Sequence, residues 1–278
     1  MSDDPPRRHL REIPIIYPAP EPDQVDVTTG IEYVQTEMGP LTLDLYAPAR
    51  RAPTVALPAV VLVAGFSDAG YEKLLGCRFK DMAVATSWAR LMASFGMVAV
   101  TYGNLLPAAS LDDVVRYLRD HAAELGIDGD RLALWGQSGN GPLALSALAR
   151  APRGSFRCAV FSCAYLVDLD GATHVADAAA QWGFTNPGGF AADDLPPDLP
   201  IFIARAGLEQ DPGLNQALDR FVAAMLALNR PITCVNFTAA PHAFEMFHDT
   251  LETREVMRQM IRFARFHLAG TGADGVNV

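Results

Sequence analysis

Charge is scarce in this chain, and an excess of positive charge is absent. Only 19% of its 278 residues are charged, and 22 basic against 32 acidic side chains leave a formal net charge of −10. Such a chain repels phosphate backbones and anionic headgroups, which argues against nucleic acid or a membrane surface as partner. Long apolar runs are missing too: none approaches the ~18 residues of a membrane span. The opening MSDDPPRRHLREIP has no apolar stretch of secretory type, so a cytoplasmic setting is expected. Cysteine is sparse, with Cys77, Cys158, Cys163 and Cys234 and no CxxC spacing, so neither a disulfide framework nor a metal site is expected. Three of the four lie in apolar runs, which points to buried, reduced thiols. No internal repeat is visible.

What is present is apolar mass. Half the residues are hydrophobic, and a fold of this size buries roughly 75% of its unfolded surface. Residues 1–24 hold Pro5, Pro6, Pro14, Pro18, Pro20 and Pro22 and read as an extended arm over the body. One domain is expected over residues 25–278. LTLDLYA alternates, with Leu41, Leu43 and Leu45 on one face and Thr42, Asp44 and Tyr46 on the other. This predicts an antiparallel pair between about residues 31 and 47. From Ala59 onward short apolar runs appear at 59–64, 97–102, 132–135, 158–163, 201–206 and 232–237. Continuous runs of that length suit strands covered on both faces, as in a parallel sheet.

Helical stripes separate these runs. Ala85, Trp88, Met92 and Phe95 form one that stops at Gly96. Leu111, Val114, Val115, Leu118 and Leu125 form another, with Ser110 and Asp113 as a capping box at its start and Gly126 past its end. Leu218, Phe221, Val222 and Met225 form a third, and Met257, Met260, Ile261, Ala264 and Leu268 a fourth. Alternating strands and helices predict a doubly wound α/β sheet with helices on both faces. Residues 165–199 break the rhythm and read as a short lid insertion, with Trp182 and Phe184 as pocket candidates.

The densest chemical signal is LALWGQSGNGPLAL. A strand runs into Gly136-Gln137-Ser138-Gly139-Asn140-Gly141, and a helix starts at once with Pro142 in its first turn. Strand, sharp turn and helix make a nucleophile elbow, which lifts the Ser138 hydroxyl above the carboxyl edge of the sheet. Together with VVLVAGFSDAG, ARAGLEQDPGLN and APHAFEMF, this segment resembles the α/β-hydrolases, and among them the dienelactone-hydrolase-like esterases, over about residues 30–268. Two departures stand out. Asn140 occupies the last position of G-x-S-x-G, and the nucleophile is serine where dienelactone hydrolases use cysteine.

The resemblance implies the order Ser, acid, His. His242, in a loop after the last central strand, matches the family's histidine, with Ala243 in the place of a glycine; His248 is the less favoured alternative. Glu209 is the favoured acid, two residues past Gly207, with Asp211 its competitor. The oxyanion hole would take the backbone N–H groups of Gly139 and Phe66. The expected function is hydrolysis of a small or medium carboxylic ester through an acyl-enzyme, without metal or other cofactor. A lactonase or dienelactone-type hydrolase, a cofactor-free haloperoxidase and a non-catalytic scaffold are the alternatives. The expected partner is the small-molecule ester, and a homodimer is left open.

Overall fold

A computed structural model describes residues 7–52, 55–167 and 174–269. The chain runs β1 (Val25–Thr36), β2 (Gly39–Pro48), β3 (Leu57–Leu62), α1 (Asp68–Leu75), α2 (Ala83–Ser94), β4 (Val98–Tyr102), α3 (Pro107–Asp120), α4 (Ala122–Leu125), β5 (Ile127–Gln137), α5 (Gly141–Arg150), β6 (Cys158–Ser162), α6 (Val175–Trp182), β7 (Ile201–Ala206), α7 (Leu214–Ala227), β8 (Ile232–Phe237), α8 (Phe244–Phe247) and α9 (Leu251–Leu268).

All eight strands form one sheet in the order β1-β2-β4-β3-β5-β6-β7-β8. β1 pairs with β2 and β2 with β4 antiparallel, and every later pairing is parallel. The core is Val60, Val61, Leu132, Leu134, Val160, Phe161 and Ile203 from the central strands, all fully buried. Helices cover both faces, and Trp88 of α2 meets Trp135 of β5 at a ring distance of 4.8 Å.

Two expectations need correction. The α3 helix starts a turn before the Ser110–Asp113 pair, at Pro107, whose missing N–H costs nothing in a first turn. Ser110 is instead buried inside the helix, where its hydroxyl accepts from the Leu105 N–H. Both faces of β2 are covered: Asp44 is buried, and Lys80 Nζ lies 2.7 Å from its Oδ2. Finally, β8 is the outermost strand and only half covered, so Cys234 is exposed while Cys158 and Cys163 are buried. All four cysteines are free thiols.

The described part of the arm begins with a 3-10 turn at Arg7–Glu12. The arm is pinned by Ile15 N–H to Ser87 Oγ (3.0 Å) and Ile16 N–H to the Glu245 carbonyl (2.8 Å). Within 165–199, α6 and a 3-10 turn at Ala192–Asp194 are the regular elements, and residues 168–173 lie outside the described chain. Among the described residues no helix is long and apolar enough to cross a membrane.

Candidate active site

The turn after β5 is tight enough to dictate its residues. Ser138 sits at φ 50°, a left-handed conformation that costs a non-glycine residue roughly 1–2 kcal/mol. A Cβ at Gly136 would come within 3.2 Å of the Phe161 ring, and one at Gly141 within 2.1 Å of the Tyr165 carbonyl oxygen. The second contact is with backbone and cannot relax. The glycine demanded on the helix side is therefore Gly141, while position 140 is an ordinary helical residue with room for a side chain.

Glu209 and His242 reach Ser138 from neighbouring strand ends. Gly207 N–H bonds the Phe237 carbonyl and Leu208 N–H the Ala240 carbonyl, both at 2.8 Å, so the loops after β7 and β8 are laced together. A Cβ at Gly207 would lie 2.4 Å from the Thr238 carbonyl oxygen. His242 Nε2 stands 2.9 Å from Ser138 Oγ, and its Nδ1 stands 2.5 Å from Glu209 Oε2. The other oxygen, Oε1, accepts the N–H groups of Gln210 and Asp211, each at 2.9 Å. Asp211 is further off, with Oδ2 at 4.0 Å from Nδ1. His248 caps α8, and its ring lies against Phe237. Ala243, in the place of the family's glycine, adopts φ 50°, the conformation that glycine takes without strain.

Burial by itself would lower the pKa of His242, but the hydrogen bond and charge of Glu209, with Asp211 and Glu245 behind it, outweigh that and raise it. Burial likewise opposes ionisation of Glu209, yet the hydrogen bond and charge of His242 and the two backbone N–H donors hold its carboxyl below the ordinary range. Glu209, Asp211 and His242 also bring potential metal-ligand atoms within 4.8 Å of one another, but both imidazole nitrogens already face a partner.

The loop Ala64-Gly65-Phe66 after β3 closes over the elbow. A Cβ at Gly65 would meet the Gly139 carbonyl oxygen at 2.6 Å, so the two loops touch backbone to backbone. Phe66, Ser138, Gly139 and His242 all border one cavity of about 370 Å³. Its wall is mostly apolar, with Leu74, Leu75, Phe79, Met82 and Met246 among the contributors. Trp182 and Phe184 of the insertion join them, and a Cβ at Gly139 would come within 2.8 Å of the Phe184 ring.

Leu10 and Glu245 are among the cavity residues that the sequence did not single out. Leu10, from the arm, lines the cavity, and no local pattern marks it. Glu245 lines it from beneath at 2% exposure; Gln137 Nε2 donates to its Oε1 at 2.5 Å, and the Ser162 hydroxyl lies 3.5 Å from Oε2. Burial raises the pKa of that carboxyl. The available signal was a lone acid beside Phe244 and Met246 in PHAFEMF.

No protein-family model matches the sequence, and no curated protein matches it. Solved structures do. An inhibited esterase B from Lactobacillus rhamnosis superposes with TM-score 0.63 at 18% identity, covering 90% of this chain and 89% of that one. A propionate-bound thermophilic esterase from the planctomycete Thermogutta terrifontis gives TM-score 0.63 at 19% identity, over 92% and 98% of the two chains. An α/β hydrolase from a Medee basin deep-sea metagenome gives TM-score 0.63 at 17%, over 88% and 99%. The fold is therefore that of the α/β-hydrolases. The likeness reaches the fold and stops short of the dienelactone-hydrolase-like subgroup.

Proposed function

We propose that the chain is a serine carboxylic ester hydrolase. The carrying observation is the continuous hydrogen-bonded series Ser138, His242, Glu209 at the wall of an apolar cavity. Ser138 Oγ attacks the ester carbonyl while His242 Nε2 takes its proton. The tetrahedral oxyanion is held by the N–H groups of Phe66 and Gly139. The imidazolium, steadied by Glu209, then protonates the departing alcohol and leaves an acyl-Ser138 ester. Water, deprotonated by the same histidine, attacks that ester and frees the acid and the serine. Residues 165–199 act as the lid, and a cytoplasmic setting belongs to the same reading.

The cavity favours an uncharged, apolar acyl group of small to medium size, since 370 Å³ is at the small end of ligand pockets. A carboxylated dienelactone suits it poorly. Among the described residues no Lys or Arg lines the cavity, whereas the carboxyls of Asp211 and Glu245 do, so a substrate carboxylate would be desolvated there without a countercharge. A binding scaffold would have no use for a strained serine facing an oriented imidazole. The test is fluorophosphonate labelling with a chain-length panel of nitrophenyl esters. Labelling and turnover in the wild type, both lost in Ser138→Ala, support the hydrolase; ester turnover that survives in Ser138→Ala overturns it.

A further inference from the structure

We propose that Asn140 is the clamp that sets the oxyanion hole, a positioning residue where the family pattern has glycine. The inference rests on the serine-hydrolase reading above. Asn140 is buried, at 6% exposure, and its Oδ1 accepts two hydrogen bonds. One comes from the Gly65 N–H and one from the Tyr71 hydroxyl, each at 2.7 Å. A backbone N–H can only donate, so the amide oxygen must be the atom that faces it.

The placement gives this oxygen its consequence. Gly65 immediately precedes Phe66, and Asn140 immediately follows Gly139, so a single side chain joins the two loops that offer N–H groups to the oxyanion. The rest of the Phe66 loop is held in a matching way. Asn104, fully buried at the end of β4, donates through Nδ2 to the carbonyls of Ala64 (2.9 Å) and Phe66 (2.7 Å). The Gly65 carbonyl accepts the Thr185 N–H at 2.7 Å, which fixes the peptide plane that carries the Phe66 N–H. A loop with a single glycine is thus held by Asn104 through its carbonyls and by Asn140 through its N–H. Donors aimed at a developing charge are effective only while their direction is kept.

Restoring the family glycine should therefore harm the enzyme. Deleting one oxyanion donor costs about 10²–10³-fold in turnover, and loosening one should cost less, roughly 10–100-fold. In Asn140→Gly and Asn140→Ala, kcat on a nitrophenyl ester is expected to fall by that factor, with KM within about threefold. Affinity for a trifluoromethyl ketone, which adds Ser138 to form a bound oxyanion, should fall in parallel with kcat/KM. Binding of the matching methyl ketone should not change. Tyr71→Phe, which keeps the Gly65 bond but frees the amide, should lose two- to fivefold in both quantities. Thermal melting and circular dichroism establish that each variant is folded. Kinetics within threefold of wild type in a folded Asn140 variant, or a loss carried only by KM with ketone affinity intact, overturns the proposal. If both Asn140 variants fail to fold, unchanged kinetics and ketone affinity in Tyr71→Phe overturn it instead. Failure of the hydrolase reading is separate, because turnover would then survive in Ser138→Ala.

Discussion

Replacing Glu209 by glutamine should do more than remove a charge. In the native loop Oε1 accepts two backbone N–H groups, from Gln210 and Asp211, while Oε2 faces His242 Nδ1 at 2.5 Å. A glutamine in this frame must give its oxygen to the two backbone donors, since the NH₂ group cannot accept from them. The NH₂ then faces Nδ1 and forces that nitrogen to become an acceptor. The imidazole proton moves to Nε2, the atom 2.9 Å from Ser138 Oγ, and the ring can no longer act as base. A wrong tautomer of this kind lowers turnover by about 10⁴-fold, roughly 5 kcal/mol of barrier. Asp211 gives limited relief. At 4.0 Å it is beyond hydrogen-bond reach, and its side chain is 34% exposed, so water screens its charge. The expected losses are about 10³–10⁴-fold for Glu209→Gln and below about tenfold for Asp211→Asn, read from kcat on one nitrophenyl ester. Near-normal turnover in Glu209→Gln, or a hundredfold loss in Asp211→Asn, would refute the reasoning and move the acid to Asp211.

Ser138→Ala should lose about 10⁶-fold in kcat and all fluorophosphonate labelling, while His248→Asn keeps most activity. The raised pKa of His242 puts the acid limb of kcat/KM above the ordinary imidazole value of about 6.5. Activity is therefore absent on the acid side and rises as the ring loses its proton. Asp211→Asn removes one of the carboxylates that raise the imidazole, so a pH profile of that variant should show the limb displaced downward; a limb that stays or rises contradicts the assignment. Glu245→Gln keeps an acceptor for Gln137 and should change the melting temperature little. Glu245→Leu leaves a buried donor unpaired and should cost about 1–3 kcal/mol on thermal or urea unfolding; equal stability of the two variants would show that this contact is idle.

The sequence by itself determined what depends on neighbours along the chain. Apolar run length marked β3 to β8, the 3.6-residue stripes marked α2, α3, α7 and α9, and the strand-turn-helix at residues 132–145 marked Ser138 before any contact was known. These are local signals, because a strand core, a helix face and a left-handed turn each constrain residues only a few positions apart. Tertiary structure decided whatever rests on distant segments. Glu209 and Asp211 are two residues apart and chemically alike; they separate only because two backbone N–H groups capture one Glu209 oxygen and turn the other toward a loop 33 residues on. Cys234 looked like a core thiol until the strand order put β8 at the edge. Leu10 and Glu245 enter the cavity through a chain path with no period to betray it. Asn140 read as a flaw in a motif because its partners, Gly65 and Tyr71, lie 75 and 69 residues away. A motif can record which backbone positions tolerate a side chain, but only the packed loops reveal what such a side chain bonds to.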